Sequence, residues 1–263
     1  MKKKIAFFDV DGTIYDFKKG IPESTKEGLK KLRENGIYSF LSTGRTRAFI
    51  DDDTILKLGF DGISAGCGTY ISYQGEVKQN IKVPHSDIER ALNVINKTNS
   101  VPVLEGWERL YFDFDALHDI SSENGIFNTA FKEKIFPIYD DVEKIDINKM
   151  TLRVGPDFKN EDVMEPLKDV FDGIAHGNIY LELVPKGCNK GTGIKQVCEM
   201  LDVDIKDSYG FGDSSNDLDM FNMVEHAICM GNGTKDAKEA AEYITDDMWE
   251  DGLYKALVHY ELI

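Results

Sequence analysis

The stretch IAFFDVDGTIYD (Ile5–Asp16) decides how the chain is read. Ile5–Val10 is rich in β formers and reads as a strand buried on both faces. It ends on two aspartates, Asp9 and Asp11, either side of Val10 and followed at once by Gly12 and Thr13. Two carboxylates at close range destabilise each other unless something positive holds them. The identity of that positive partner decides the function.

Outward from this strand the pattern alternates. Glu23–Glu34 reads as a helix with Leu29 and Leu32 on one face and Gly36 as its stop. Ile37–Ser42 is a strand that runs into Thr43-Gly44-Arg45; Ile55–Leu58 closes a helical stretch before a strand around Gly62–Ala65. Strands separated by helices imply βαβ units and a parallel sheet. After Ile71 the stretch ISYQGEV suggests a hairpin turning at Gln74-Gly75.

Between Pro84 and Pro185 the order changes. A helix over Ser86–Asn99, strands in VPVLEG and RLYFDFD, a helical region, TLRVG, a helix from Glu161 to Phe171 and the strand NIYLELV describe an α+β unit with an antiparallel sheet. Alternation then returns: a helix over Lys190–Leu201, the strand SYGFGD, a helix over Asn216–Met223, the strand HAICMG, and helices over Lys235–Glu242 and Gly252–Tyr260. The expected fold is an α/β, Rossmann-like, doubly wound parallel-sheet core carrying an inserted α+β domain. The expected boundaries are 1–83 and 186–263 for the core and 84–185 for the insertion, with a proline stiffening each crossing.

The composition narrows the function. The chain has 263 residues with 31 Lys+Arg against 47 Asp+Glu, a formal net charge of −16. That balance argues against nucleic acid and anionic membranes as partners but leaves room for a small phosphorylated substrate, since a metal or a few cations dominate a cleft locally. Cys67, Cys188, Cys198 and Cys229 are scattered without a CxxC pair, and the five histidines form no cluster, so neither a disulfide framework nor a zinc site is expected. The apolar run after MKKK stops at Asp9, too soon for a signal peptide, and no run is long enough to span a membrane. A soluble, cytoplasmic protein is the expectation. Neither GxGxxG after the first strand nor GxxxxGK[ST] is present, which argues against a dinucleotide or P-loop site.

Four short stretches stand at the ends of core strands or at the start of a core helix: DVDGT (Asp9–Thr13), STGR (Ser42–Arg45), NKGTG (Asn189–Gly193) and GDSSND (Gly212–Asp217). Singly each has a plain reading as a turn, a loop or a helix cap. Together, on the carboxyl ends of parallel strands, they can converge on one site. Asp9, Asp11 and Asp213, with Asp217 nearby, offer oxygen donors suited to Mg²⁺. Lys190 offers a point charge for a phosphate, Thr43 a hydroxyl, and Gly44 a close approach of backbone N–H groups to an oxyanion. Asp9 could then attack phosphorus to give an aspartyl phosphate while Asp11 serves as general acid and base.

These motifs, with the tail CMGNGTKDAKEAAEYIT and the later EDGL, resemble the haloacid dehalogenase (HAD) superfamily of phosphohydrolases, in its Cof-type branch with a type IIB cap, over nearly the whole chain. The resemblance implies Asp9 as nucleophile and Asp11 as general acid/base, its main-chain carbonyl also on Mg²⁺. It implies Thr43 and Gly44 as phosphate contacts, and Lys190 as the lysine that balances charge on Asp9 and the phosphoryl group. It further implies Asp213 as a metal ligand, Asn216 as a phosphate contact, and Asp217 as a support for Lys190 or for the water on the metal. By the same analogy the insertion supplies specificity; polar and aromatic groups recur near its strand ends, which makes Glu105, Trp107, Arg109, Tyr111 and Glu182 candidate contacts, although Trp107 and Tyr111 read more readily as half-buried sheet residues.

The reaction expected is Mg²⁺-dependent hydrolysis of small phosphorylated metabolites, sugar phosphates or similar monoesters. A phosphotransferase or phosphomutase would use the same intermediate. A non-enzymatic phospho-acceptor module is the alternative from another class, and the length of the insertion and the presence of Asp11 weigh against it.

Overall fold

The computed structural model describes residues 3–50, 54–114, 131–138 and 141–263. The chain divides into two compact units: Met1–Gly44, Asp52–Lys78 and Asn189–Ile263 make up the first, and Arg45–Asp51 with Gln79–Cys188 the second.

In the first unit, β1 (Ile5–Phe8) is buried at every residue, as its uninterrupted apolar sequence requires. It pairs in parallel with β2 (Tyr38–Ser42) on one side and with β12 (Ser208–Gly212) on the other. The sheet continues beyond β2 through β3 (Gly62–Ala65), β4 (Tyr70–Tyr73) and β5 (Glu76–Asn80), and beyond β12 through β13 (His226–Cys229) and β14 (Tyr243–Ile244). Pairing is parallel from β14 to β3 and antiparallel between β3 and β4. The Gln74-Gly75 hairpin forms as expected, with φ of 50° and 81° at its two residues, the conformation a tight primed turn demands. The chain leaves β1 toward β2 and returns beside β1 only with β12. That reversal of strand order opens a crevice at the carboxyl ends of the three strands.

Helix α1 (Glu23–Glu34) has the expected limits and buries Leu29 and Leu32. Its end is set by Gly36 at φ 74°, where Ile37 N–H reaches back to the Leu32 carbonyl. Helix α4 (Lys190–Leu201) and the short α5 (Leu218–Met223) cover one face of the sheet, where Ile194, Val197, Met220 and Phe221 pack with Ile5, Phe7 and Phe40. Helices α6 (Lys235–Ala240) and α7 (Gly252–His259) complete the unit, and α7 packs on α1. Strand β14, two residues long, is too short to leave a sequence pattern.

The second unit holds a sheet ordered β10 (Phe171–His176), β11 (Tyr180–Pro185), β9 (Lys149–Val154), β6 (Ser100–Glu105), β7 (Leu110–Phe112) and β8 (Ile135–Pro137). It is antiparallel except for β7 with β8. One face carries Leu104, Met150, Leu152, Leu181 and Leu183 against Ile88, Ala91 and Ile95 of α2 (His85–Ile95) and Val163 and Leu167 of α3 (Asn160–Leu167). The helix expected to reach Phe171 therefore ends at Leu167. Phe171 is buried and pairs with Pro185 in the β10–β11 hairpin, so sheet pairing prevails over the helical spacing of Val163, Leu167 and Val170. The helical region expected after RLYFDFD falls partly outside the described residues; its described part contains β8 and two single 3₁₀ turns, Lys132–Lys134 and Val142–Lys144. Among the described residues no helix is long and apolar enough to cross a membrane.

Candidate active site

The sheet register brings the motifs together. Asp9 follows β1 directly, and its N–H donates to the Phe211 carbonyl of β12 at 2.9 Å, so Asp213 lies on the adjacent loop. On the other flank Thr43 follows β2, with its N–H on the Ser64 carbonyl at 3.0 Å and its own carbonyl accepting from Cys67 N–H at 3.1 Å. Lys190 arrives from the other side as the first residue of α4.

The start of α4 explains the form of NKGTG. Asn189 caps the helix: its side chain accepts from Thr192 N–H at 2.7 Å, and the Thr192 hydroxyl accepts from Asn189 N–H at 3.0 Å. A Cβ on Gly191 would stand 2.5 Å from the Asp219 carbonyl oxygen, and one on Gly193 2.4 Å from Ser64 Oγ. Without side chains at these two positions the first turn settles deep enough for Lys190 to reach the strand ends.

Lys190 is buried, and its Nζ donates to Asp9 Oδ1 and to Asp217 Oδ1, each at 2.6 Å, and to Asn216 Oδ1 at 3.2 Å. Asp217 spends its other oxygen on the backbone: Oδ2 accepts from Asp213 N–H at 2.9 Å and Ser214 N–H at 3.0 Å. It thus holds both the lysine and the loop that carries Asp213. Asn216 is itself fixed by the Ser214 hydroxyl at 2.9 Å.

Carboxylate oxygens of Asp9, Asp213 and Asp217 lie within 4.8 Å of one another, with one ammonium between them. Burial pushes the Asp9 carboxyl well above the usual carboxylate range; Lys190 opposes this, while Asp217, Asp213 and Asp11 add to it. The Asp213 carboxyl is pushed up to about 7, by burial first and by Asp217 second, against the opposing effects of Thr13 and Lys190. Burial disfavours the Lys190 ammonium, yet Asp217 and Asp9 outweigh it and lift its pKa above the ordinary value. Two buried carboxylates and a half-buried third against one cation leave an excess of negative charge. Oxygen donors only, close together and short of positive charge, fit a hard divalent cation.

Asp11 lies past the strand, exposed, in a turn closed by a bridge to Tyr15, so the alternation of β1 no longer governs where it points. Gly12 has φ 81°, and a Cβ there would lie 2.4 Å from Asp213 Oδ2. Only glycine lets the two loops approach so closely. Thr13, named in the sequence only as part of its motif, donates its hydroxyl to Asp213 Oδ1 at 3.1 Å and orients that carboxylate.

The second unit holds a polar row, buried at Glu105 and Lys149 and half-buried elsewhere, on the sheet face opposite its helices. Glu105 stands across from Lys149, and Thr151 across from Glu182. Lys149 Nζ contacts Glu182 closely and lies 3.8 Å from Glu105 Oε2; Thr151 donates to Glu105, and His176 Nε2 is 2.7 Å from Glu182 Oε1. Of the candidate contacts in this unit, Glu105 and Glu182 belong to the row. Tyr111 does not: it is buried with the apolar face, its hydroxyl 3.4 Å from the Lys144 carbonyl. Arg109 lies over the Phe136 ring at 4.7 Å, and Trp107 is half-buried.

Burial raises the Glu105 carboxyl. Burial also works against the Glu182 carboxylate, but Lys149 and His176 outweigh it and bring its pKa down to about 2. A depressed folded-state pKa adds stability above the unfolded value and loses it as pH falls toward the folded one. Glu182→Gln is therefore expected to lower the unfolding free energy by on the order of 3 kcal/mol at neutral pH. The gap from wild type should close as pH drops from about 4.5 toward 2. Denaturant unfolding of both proteins across that range measures it, and a constant gap would contradict the assignment.

A sequence profile described as haloacid dehalogenase-like hydrolase matches residues 6–257. The chain belongs to this family. It is a phosphatase. Among its relatives are YkrA of Bacillus subtilis (strain 168), 28% identical over 263 residues and 100% of both chains. Another is 5-amino-6-(5-phospho-D-ribitylamino)uracil phosphatase YcsE of the same organism, 28% identical over 272 residues, covering 98% of this chain and 96% of YcsE. Among solved structures, the HAD subclass IIB sugar phosphatase BT4131 superposes with a TM-score of 0.83 at 24% identity, covering 99% of this chain and 100% of its own. That likeness shows the fold: a parallel-sheet core and an α+β unit inserted into the chain, as in that neighbour. HAD phosphatases generally use a divalent metal, which agrees with the charge balance around Lys190.

Proposed function

We propose that this HAD phosphatase hydrolyses small phosphomonoesters, sugar phosphates or similar polyol phosphates, with Mg²⁺ and through an aspartyl phosphate on Asp9. The observation that carries the reading is the buried cluster in which Lys190 bridges Asp9 and Asp217 beside Asp213. Asp9 and Asp213 hold the cation, together with the main-chain carbonyl of Asp11. When bound, Mg²⁺ neutralises the carboxylates and the phosphoryl oxygens.

The chain's own residues do the rest. Lys190 occupies Asp9 Oδ1 and keeps the side chain oriented, and a carboxylate oxygen of Asp9 attacks phosphorus. The bond to the leaving oxygen breaks as Asp11 gives that oxygen a proton. Thr43, Gly44 N–H, Lys190 and Asn216 hold the phosphoryl oxygens. Asp11, now a base, takes a proton from water; the water oxygen bonds to phosphorus, and the bond to Asp9 breaks to release phosphate. The exposure of Asp11, against the burial of Asp9, supports this division of roles. Residues 1–83 and 186–263 are the catalytic core and 84–185 the cap that selects the leaving group. The YcsE relative acts on a compound whose phosphate sits on a ribityl chain, which supports a polyol phosphate here.

Phosphate release from a panel of sugar and polyol phosphates, with Mg²⁺ or with EDTA, tests the reading. Release at least about 100-fold greater with Mg²⁺ is expected, since a metal and its orientation of substrate supply several kcal/mol. Equal rates in EDTA would rule out the metal, and an isomerised phosphoester in place of free phosphate would make the protein a mutase.

A further inference from the structure

We propose that Asn232 is a positioning residue for the cation site, clamping the Asp11–Gly12 turn to the Asp213 loop. The inference rests on the assignment of Asp11 and Asp213 to the cation. The chain leaving β13 passes over both loops. Asn232 Nδ2 donates to the Gly12 carbonyl at 2.7 Å, and two residues on, Thr234 N–H donates to the Asp213 carbonyl at 2.7 Å. Gly233, between them, lies so near that a Cβ there would stand 2.9 Å from the Asp213 carbonyl oxygen.

The clamp is anchored from behind. Asn232 Oδ1 accepts from Met248 N–H at 3.0 Å, and Gly231 N–H donates to the Asp246 carbonyl at 2.9 Å. One side-chain amide thus uses its donor on the turn that carries Asp11 and its acceptor on the 246–248 segment. Asn232 is exposed, and an exposed neutral hydrogen bond adds little to global stability because water replaces it readily. Its consequence is geometric. With Gly12 already against Asp213 Oδ2, the Asn232 and Thr234 bonds fix the separation of the two loops from above. Groups that orient metal ligands without touching the metal typically change affinity or rate by roughly ten- to a hundredfold when removed.

The test is Asn232→Ala in the full-length protein, with Mg²⁺ affinity from calorimetric titration, Tm in EDTA, and kcat and KM on the best substrate. Expected are an Mg²⁺ Kd raised roughly tenfold or more, kcat reduced by a similar factor, KM within about twofold, and Tm in EDTA little changed. Unchanged Mg²⁺ affinity and kcat would overturn the clamp, as would a lowered Tm with unchanged Mg²⁺ affinity, since Asn232 would then only fasten the 246–248 segment. Asn232→Asp is the second variant: it keeps the acceptor for Met248 N–H but cannot donate to Gly12. Its kcat at saturating Mg²⁺ is expected to fall as in Asn232→Ala, although its added charge favours the cation; wild-type kcat would overturn the proposal. If the wild-type protein takes up no Mg²⁺, the cation assignment fails separately, and the two kcat comparisons still decide the clamp.

Discussion

Asp9→Asn is expected to reduce phosphate release by at least about 10⁴-fold while leaving the protein folded and at least as stable as wild type. The two effects separate chemistry from structure. The substitution keeps the shape of the side chain but removes the nucleophilic oxygen anion. It also removes one of three crowded carboxylates, whose burial and mutual repulsion already push Asp9 and Asp213 toward their protonated forms. In EDTA the variant should therefore unfold at or above the wild-type temperature. A variant that keeps a tenth of the wild-type rate would remove Asp9 from the nucleophile's role, whatever its stability.

Lys190→Met should lose stability as well as activity. The ammonium donates to Asp9, Asp217 and Asn216 from a buried position, and a methionine leaves the two carboxylates with no counter-charge. Breaking a buried ion pair on one side costs about 3–5 kcal/mol. Because the cost lies in the partners left behind, the double variant Asp9→Asn/Lys190→Met should recover roughly 1–3 kcal/mol of it without recovering any activity. A double variant whose stability equals the sum of the two single effects would show that the ammonium and Asp9 are not coupled. Denaturant melts of the four proteins at one pH, in EDTA, complete the cycle.

Much of this arrangement is legible in the sequence, for reasons that differ from element to element. The limits of α1 and α4 are readable because local chemistry sets them: Gly36 at positive φ ends one, and the Asn189–Thr192 capping box begins the other. The Gln74-Gly75 hairpin is local in the same sense. Strand β10 is not readable, because Phe171 is drawn into it by pairing with Pro185, and the helical spacing before it continues without a break. Asp9, Asp213, Asp217 and Lys190 are recognisable as a group because each sits in a short motif at the end of a core element. Thr13 and Asn232 are invisible as functional side chains until the fold is known. Their hydrogen-bond partners, Asp213 and Gly12, lie 200 and 220 residues away in the chain. A threonine after a turn and an asparagine before a glycine are ordinary loop residues until those loops are brought together. Tyr111 is a further lesson in alternation: one position along β7 decides between the apolar face and the other, and an aromatic residue gives no hint which it takes.

The bond between Lys190 and Asp9 spans 181 residues, and it sets a timetable for synthesis. A ribosome adding about 5–20 residues per second takes roughly 10–40 s to travel from one to the other. Throughout that interval β1 has lost its partner-to-be on one side, since β12 has not yet been made, and an unpaired parallel strand edge is a hazard for nascent chains. The chain from Gln79 to Cys188 emerges as one continuous piece in the meantime and can complete its own core. The carboxylate of Asp9 therefore waits in solvent, charged and harmless, and acquires its reactivity only when the last third of the chain closes the sheet around it.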